Sequence, residues 1–148
     1  MSKQPQASDA AAPCYYVDAN VFLNPILYDA TAVPEAAAGA RFLADVKAGH
    51  AKAVTSVLTW DEVTWIVRKN TDVVTARKKG QEFLAFPGLH FLPVTATIIN
   101  KAQLLLEQHT IKPRDAIHVA SGLSHGVREF ITFDEDFKGI PGITYRHP

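Results

Sequence analysis

Strand-like and helix-like segments alternate along almost the whole of this chain, and that alternation constrains its fold more than any single motif. Short apolar runs at Cys14–Val17, Ala51–Thr55, Leu89–Val94, Glu129–Thr132 and Ile143–Arg146 read as strands. Between them lie helical patterns at Asn20–Tyr28, Pro34–Ala48, Thr59–Arg68, Thr71–Ala85, Thr95–Gln108 and Pro113–Ser124. Pro25 keeps the first of these short or bent, because proline has no N–H to give to the preceding turn. Pro34 suits a first helical turn, and Gly49 falls just past the end of the same helix. Either Thr71 or Asp72 can cap the fourth helix. Strands joined through helices pair in parallel and need cover on both faces. The expected class is α/β, a three-layer α/β/α sandwich around a mainly parallel central sheet.

A length of 148 residues suits one domain, and 47% hydrophobic residues suffice for a substantial core. Residues 1–13, rich in Ala, Gln, Ser and Pro, read as a disordered tail, so the domain is expected over 14–148. Lys plus Arg and Asp plus Glu number 15 each, so net charge gives no hint of a polyanionic partner. The single cysteine, Cys14, excludes an internal disulfide and a zinc site built on cysteines. Its place in an apolar run predicts a buried thiol. No segment reads as a signal peptide or membrane span, so a cytoplasmic protein is expected.

Four acidic motifs stand out, and three of them sit where a strand ends or a helix begins. Asp18 follows the first strand, Glu62 lies in TSVLTWDEV, Asp115 opens the last helix, and Asp134 and Asp136 follow the strand FIT. Each has an ordinary structural explanation. Asp18 can cap the next helix. Thr59 and Glu62 have the spacing of a capping box. Asp115 in a first turn is favoured by the helix dipole, and Asp134–Asp136 can be a turn cluster. Asp61 is expected to face solvent. The strand ends of a parallel sheet, however, gather on the edge where such folds bind ligands. Two like charges ~4 Å apart cost roughly 4 kcal/mol at an effective dielectric of about 20. A hard divalent cation held by oxygen offsets that repulsion, and Asn20 beside Asp18 supplies a further oxygen. His118, one turn after Asp115, reads either as a core histidine or as a partner of that carboxylate.

Two other strand-end aspartate chemistries fit less well. A haloacid-dehalogenase-type phosphatase wants a second Asp two residues after the first, where this chain has Asn20. A receiver-like domain wants an acidic pair at the first strand end, where only Asp18 stands. By contrast, VDANVFLN, TSVLTWDEV, DAIHVASGL and FITFDEDF together, spanning Tyr15 to Tyr145, resemble the four motifs of the PIN-domain family. Within it the chain resembles the small toxin ribonucleases of VapC type, and no acidic position of the pattern is missing.

The resemblance implies a metal-dependent endoribonuclease that hydrolyses RNA phosphodiester bonds with one or two Mg²⁺ or Mn²⁺ ions. The catalytic set is then Asp18, Glu62, Asp115 and Asp134. Asp18, Asp115, Asp134 and Asp136 are metal ligands, and Asn20 and Thr132 orient them. It also implies a homodimer and a cognate antitoxin protein, with Trp60, Trp65 and Phe22, or the region Tyr28–Ala48, as candidate contacts. RNA-binding candidates are Lys112 and Arg114 beside Asp115, and the basic stretch Arg68, Lys69, Arg77, Lys78 and Lys79. A solvated helix face explains that stretch equally well. A housekeeping RNA-processing nuclease and a catalytically silent RNA- or protein-binding module remain as alternatives.

Overall fold

The computed structural model describes residues 12–148. The tail assigned to residues 1–13 lies outside the described residues except for its last two, and Pro13 already hands its carbonyl to Lys52 N–H at 2.8 Å. The strands are β1 (Cys14–Val17), β2 (Lys52–Ser56), β3 (Leu89–Leu92), β4 (Glu129–Ile131) and β5 (Thr144–Arg146). The helices are α1 (Ala19–Leu27), α2 (Pro34–Ala48), α3 (Leu58–Asn70), α4 (Val73–Leu84), α5 (Ala96–Gln108) and α6 (Pro113–Ser124). A 3-10 turn at Glu135–Phe137 follows β4.

All strand pairs are parallel, in the order β3-β2-β1-β4-β5. The chain winds outward from β1 through β2 to β3, then returns to the far side of β1 for β4 and β5. The junction of β1 and β4 is therefore the point where the winding reverses: α1 after β1 packs into one core, and the turn after β4 packs through Phe137 into the other. Open α/β sheets bind ligands in the crevice at that point, outside the carboxyl ends of the strands.

Alternation along the strands sends side chains into two cores. Val17, Ala53, Leu89 and Ile131 face α1–α4, where they meet Val21, Phe22, Val46, Val63, Val67 and Phe83. Tyr16, Val54, Leu92 and Phe130 face the other way, toward Val119, Phe137 and Ile140, beside the small apolar seam between α5 and α6. The predicted three-layer sandwich is what forms.

Pro25 does not end α1. The Val21 carbonyl it leaves unbonded lies against Gly39 of α2, where a Cβ would stand only 2.8 Å from that oxygen. The absence of a side chain at Gly39 lets the two helices close over the gap. Asp72, rather than Thr71, caps α4, accepting from Thr75 N–H at 2.8 Å. Cys14 departs from expectation: it is exposed. It sits at the opening end of β1, before the strand enters the core, so its apolar neighbours downstream are no guide to its own burial. No helix among the described residues is long and apolar enough to cross a membrane.

Candidate active site

The carboxyl ends of β1 and β4 bring the first and last acidic motifs together. Asp18 caps α1 and stands at this junction. Its Oδ1 accepts from Ala19 N–H at 2.8 Å, and its Oδ2 accepts from Thr132 Oγ1 at 2.8 Å. Thr132 Oγ1 in turn receives Asn20 Nδ2 at 3.2 Å and Asp134 N–H at 3.0 Å, while Asn20 Oδ1 takes Phe133 N–H at 3.2 Å. One hydroxyl and one amide thus lock the β4 exit onto the β1 exit. Asp134 then accepts Asp136 N–H at 2.9 Å, which opens the 3-10 turn. Phe137, fully buried, anchors that turn on the core.

Glu62 is placed by α3, but not through the capping box its spacing suggests. The helix begins one residue earlier than predicted, with Val57 at the cap position and no side-chain cap. Thr59 is buried and shares a 2.6 Å hydrogen bond with Thr55, whose hydroxyl also donates to Val17 carbonyl at 2.8 Å. Glu62, 9% exposed, points inward, and its Oε1 lies 3.0 Å from His118 Nε2. The capping box fails because Thr59 lies inside the helix rather than at its cap, with its hydroxyl bonded to Thr55 of β2. Asp61 is exposed as expected, and Arg114 reaches it at 3.9 Å.

Acidic ligand atoms gather in two groups, Asp18 and Glu62 with His118, and Asp115 with Asp134 and Asp136. Within each group these atoms lie within 4.8 Å of one another. Burial raises the Asp18 pKa, with Glu62 adding to the rise, although His118, Thr132 and Ala19 N–H oppose it. Asp115 is raised to about 6, first by burial and then by the charges of Asp18 and Asp134, which couples the two groups. Asp115 Oδ2 is buried and has no hydrogen-bond donor among the described residues. A hard divalent cation fits this arrangement: several carboxylates held by hydrogen bonds on one side, one carboxylate oxygen without a donor, and repulsion among them.

His118, at 1% exposure, is a core histidine after all, but its carboxylate partner is Glu62 rather than Asp115. Burial works against its charge, while Tyr16 and the Glu62 and Asp18 carboxylates raise its pKa, and the balance is upward. Its Nδ1 meets the Tyr16 hydroxyl, which also accepts Ser56 N–H at 3.0 Å. Tyr16 was not singled out from sequence. The signal was there in principle, since a tyrosine in a buried strand must find a partner for its hydroxyl.

The basic candidates divide. Lys112 pairs with Asp136 at 2.7 Å, and Arg114 with Asp61, both at the rim of the acidic groups. Arg68 and Lys69 fall in the last turn of α3, roughly 9 Å along its axis beyond Glu62. Lys78 and Lys79 pair with Glu82 on α4. Arg68 and Arg77 border a groove of about 530 Å³ between α3 and α4, lined also by Trp60, Trp65 and Leu84. Trp60 and Trp65 are 42% and 56% exposed, whereas Phe22 is core at 3%, so only the tryptophans offer a surface.

The PIN domain family model matches residues 15–143. None of the curated protein sequences compared with the chain matches it. Among solved structures, VapC20 of Mycobacterium tuberculosis, described as a toxin that cleaves the sarcin-ricin loop, superposes with a TM-score of 0.69 at 15% identity, over 87% of this chain and 96% of that one. VapBC2 of Rickettsia felis, solved bound to a promoter DNA fragment, gives 0.68 at 16% identity, over 90% and 98%. A toxin–antitoxin complex from Klebsiella pneumoniae gives 0.63 at 21% identity, over 88% and 95%. These likenesses are of fold.

Proposed function

We propose, from the premise that this chain belongs to the PIN-domain family, that it is a metal-dependent endoribonuclease and the toxin of a toxin–antitoxin pair. The observation that carries the reading is Asp115 Oδ2, buried without a donor beside the charges of Asp18 and Asp134. An oxygen so placed lacks a partner that a cation supplies.

Asp18, Glu62, Asp115 and Asp134 would hold Mg²⁺ or Mn²⁺, one ion or two, with Asp136 at the margin. When bound, the ion supplies Lewis acidity toward the phosphodiester and lowers the pKa of a coordinated water. Thr132 fixes Oδ2 of Asp18, and Asn20 fixes the turn that carries Asp134. Asp134 is a ligand or orients the attacking water, its Oδ1 being held by Asp136 N–H. Lys112 and Arg114, paired to Asp136 and Asp61, would exchange those partners for backbone phosphates. Arg68, Lys69, Arg77, Lys78 and Lys79 form a second, more distant basic stretch for the same strand.

The neighbouring structures include toxin–antitoxin complexes, which supports an antitoxin partner for this chain and, with it, a cytoplasmic setting. The α3–α4 groove suits an antitoxin segment with apolar residues for Trp60 and Trp65 and acidic ones for Arg68 and Arg77. Self-association as a homodimer belongs to the same reading.

The test is incubation of labelled single-stranded and structured RNAs with the protein in Mg²⁺, Mn²⁺ or EDTA, beside Asp115→Asn. Cleavage that needs the ion and the Asp115 carboxylate is the expected result. Metal binding without cleavage of any RNA would leave a binding module instead.

A further inference from the structure

We infer that His118 is a positioning residue: locked by Tyr16, it presents a ring N–H to Glu62 and fixes the carboxylate that Glu62 shares with the Asp18 site. This rests on the metal-dependent reading of the site.

The chain of hydrogen bonds has a direction. Ser56 N–H, at the end of β2, donates to the Tyr16 oxygen at 3.0 Å. The backbone amide has no choice of role, so one face of the phenol oxygen is always occupied by a donor. Tyr16 is fully buried, and the other polar atom within reach is His118 Nδ1. If the ring is neutral, the hydroxyl donates its hydrogen bond to Nδ1, and the ring proton must sit on Nε2. If the ring is charged, Nε2 carries a proton as well. The form excluded is the one with a proton on Nδ1 alone, which would turn the Nε2 lone pair toward Glu62 Oε1 at 3.0 Å. A donor therefore always faces Glu62.

The phenol is itself held in place. Its ring stacks on Phe130 at 4.7 Å, and Gly122 of α6 lies beneath both, where a Cβ would stand 2.5 Å from Phe130 Cζ and 3.1 Å from Tyr16 Cδ2. Glu62 is on α3, a helix that meets the sheet edge through its first turn, and its long side chain has freedom that the aspartates at the strand ends lack. His118 removes that freedom. Its Nε2 also lies 4.0 Å from Asp18 Oδ1, so the same N–H sits between the two carboxylates.

The experiment compares the full chain with His118→Asn, His118→Gln and Tyr16→Phe. Folding is checked by circular dichroism and thermal melting, Mn²⁺ affinity by calorimetry, and RNA cleavage by gel. Glutamine places an N–H near the Nε2 position, and asparagine does not. We expect His118→Asn to weaken Mn²⁺ binding by about 10- to 100-fold, the usual loss when a ligand's hydrogen-bond partner is removed. Glutamine should recover at least tenfold of that. Tyr16→Phe should weaken binding to a lesser degree. In the metal-free wild type, ring ¹⁵N couplings should show the proton on Nε2.

Equal Mn²⁺ affinity for wild type and folded His118→Asn, or equal losses for Asn and Gln, would overturn the role. So would a proton on Nδ1 alone. A wild type that binds no Mn²⁺ would overturn the nuclease reading and this role together, whereas a wild type that binds it as well as His118→Asn overturns only the role.

Discussion

Thr132 Oγ1 donates a 2.8 Å hydrogen bond to Asp18 Oδ2 and so ties together the exits of β1 and β4, two strands 114 positions apart in sequence. The same oxygen accepts from Asn20 Nδ2 and Asp134 N–H. Thr132→Val keeps the shape and removes all three bonds. A buried carboxylate that loses its donor costs about 1–3 kcal/mol. We expect a loss of that size in urea unfolding, with a drop of about 10- to 100-fold in cleavage at saturating Mg²⁺. Thr132→Ser restores the hydroxyl and should restore most of both.

Asp115 leads to a prediction in which stability and activity move in opposite directions. Its rise to about 6 means that the folded, metal-free protein disfavours the charged form there. Asp115→Asn removes that charge. A displacement from 3.8 to about 6 is equivalent to at most about 3 kcal/mol. Solvent screening of this half-buried group reduces the figure to about 1–2 kcal/mol. Asp115→Asn should gain that much in EDTA at pH 7 and lose cleavage entirely. Chemical denaturation in EDTA, with and without the substitution, measures the gain, and equal stabilities would count against charge repulsion at the site.

The same carboxyl sets a pH dependence. Its folded pKa lies above its unfolded value, so the native state binds this proton more tightly than the unfolded chain does. That contribution to stability is complete below the unfolded pKa near 3.8 and is lost as the pH rises through about 6. Metal-free stability attributable to Asp115 should therefore fall between those values. Mg²⁺ should abolish the fall, and its affinity should weaken below pH 6 as protons compete. Melting curves in EDTA and in Mg²⁺ across this range, for wild type and Asp115→Asn, isolate the effect.

Gly122 tests the packing behind the site. A methyl group there would meet Phe130 Cζ at 2.5 Å, and Phe130 and Tyr16 are 1% and 0% exposed, so neither ring can swing into solvent. Overpacking a core in this way costs about 1–3 kcal/mol. Gly122→Ala should lower the melting temperature correspondingly and, by shifting Tyr16, weaken Mn²⁺ binding as well.

The backbone architecture was legible because local signals agree. Pro34 and Gly49 bound α2, Thr95 caps α5 through Ile98 N–H, and the apolar runs of the strands are too short for helices. Asp18, Asp115 and Asp134 were legible for the same reason: each stands at a strand exit or in a first helical turn, and a parallel sheet brings such exits to one edge. What sequence did not reveal were contacts between elements. Glu62 and His118 are 56 residues apart, and nothing local distinguishes a glutamate in a capping box from one turned inward to a histidine. Cys14 shows the converse, since an apolar run indicates a strand without saying which of its residues reach the core. Trp60 and Trp65 were ambiguous between core and surface because helical periodicity alone does not say how wide the buried stripe of α3 is.

The two basic sets make a last, separable prediction. Lys112 stands at the rim of the acidic groups, its pKa raised by its bond to Asp136 and by the charges of Asp136, Asp134 and Asp115. Lys78 stands on α4, paired with Glu82. If the scissile strand runs past Asp115, a lysine that neutralises one phosphate should contribute about 0.7 to the salt slope of single-stranded RNA binding. Lys112→Ala should lose that increment and raise KM for cleavage, and Lys78→Ala should do so to a smaller extent. Filter binding of a labelled single-stranded RNA at several salt concentrations, in Ca²⁺ or with Asp115→Asn to prevent turnover, gives both slopes. A larger loss from Lys78→Ala than from Lys112→Ala would move the RNA path away from the β1–β4 crevice and onto the α3–α4 face.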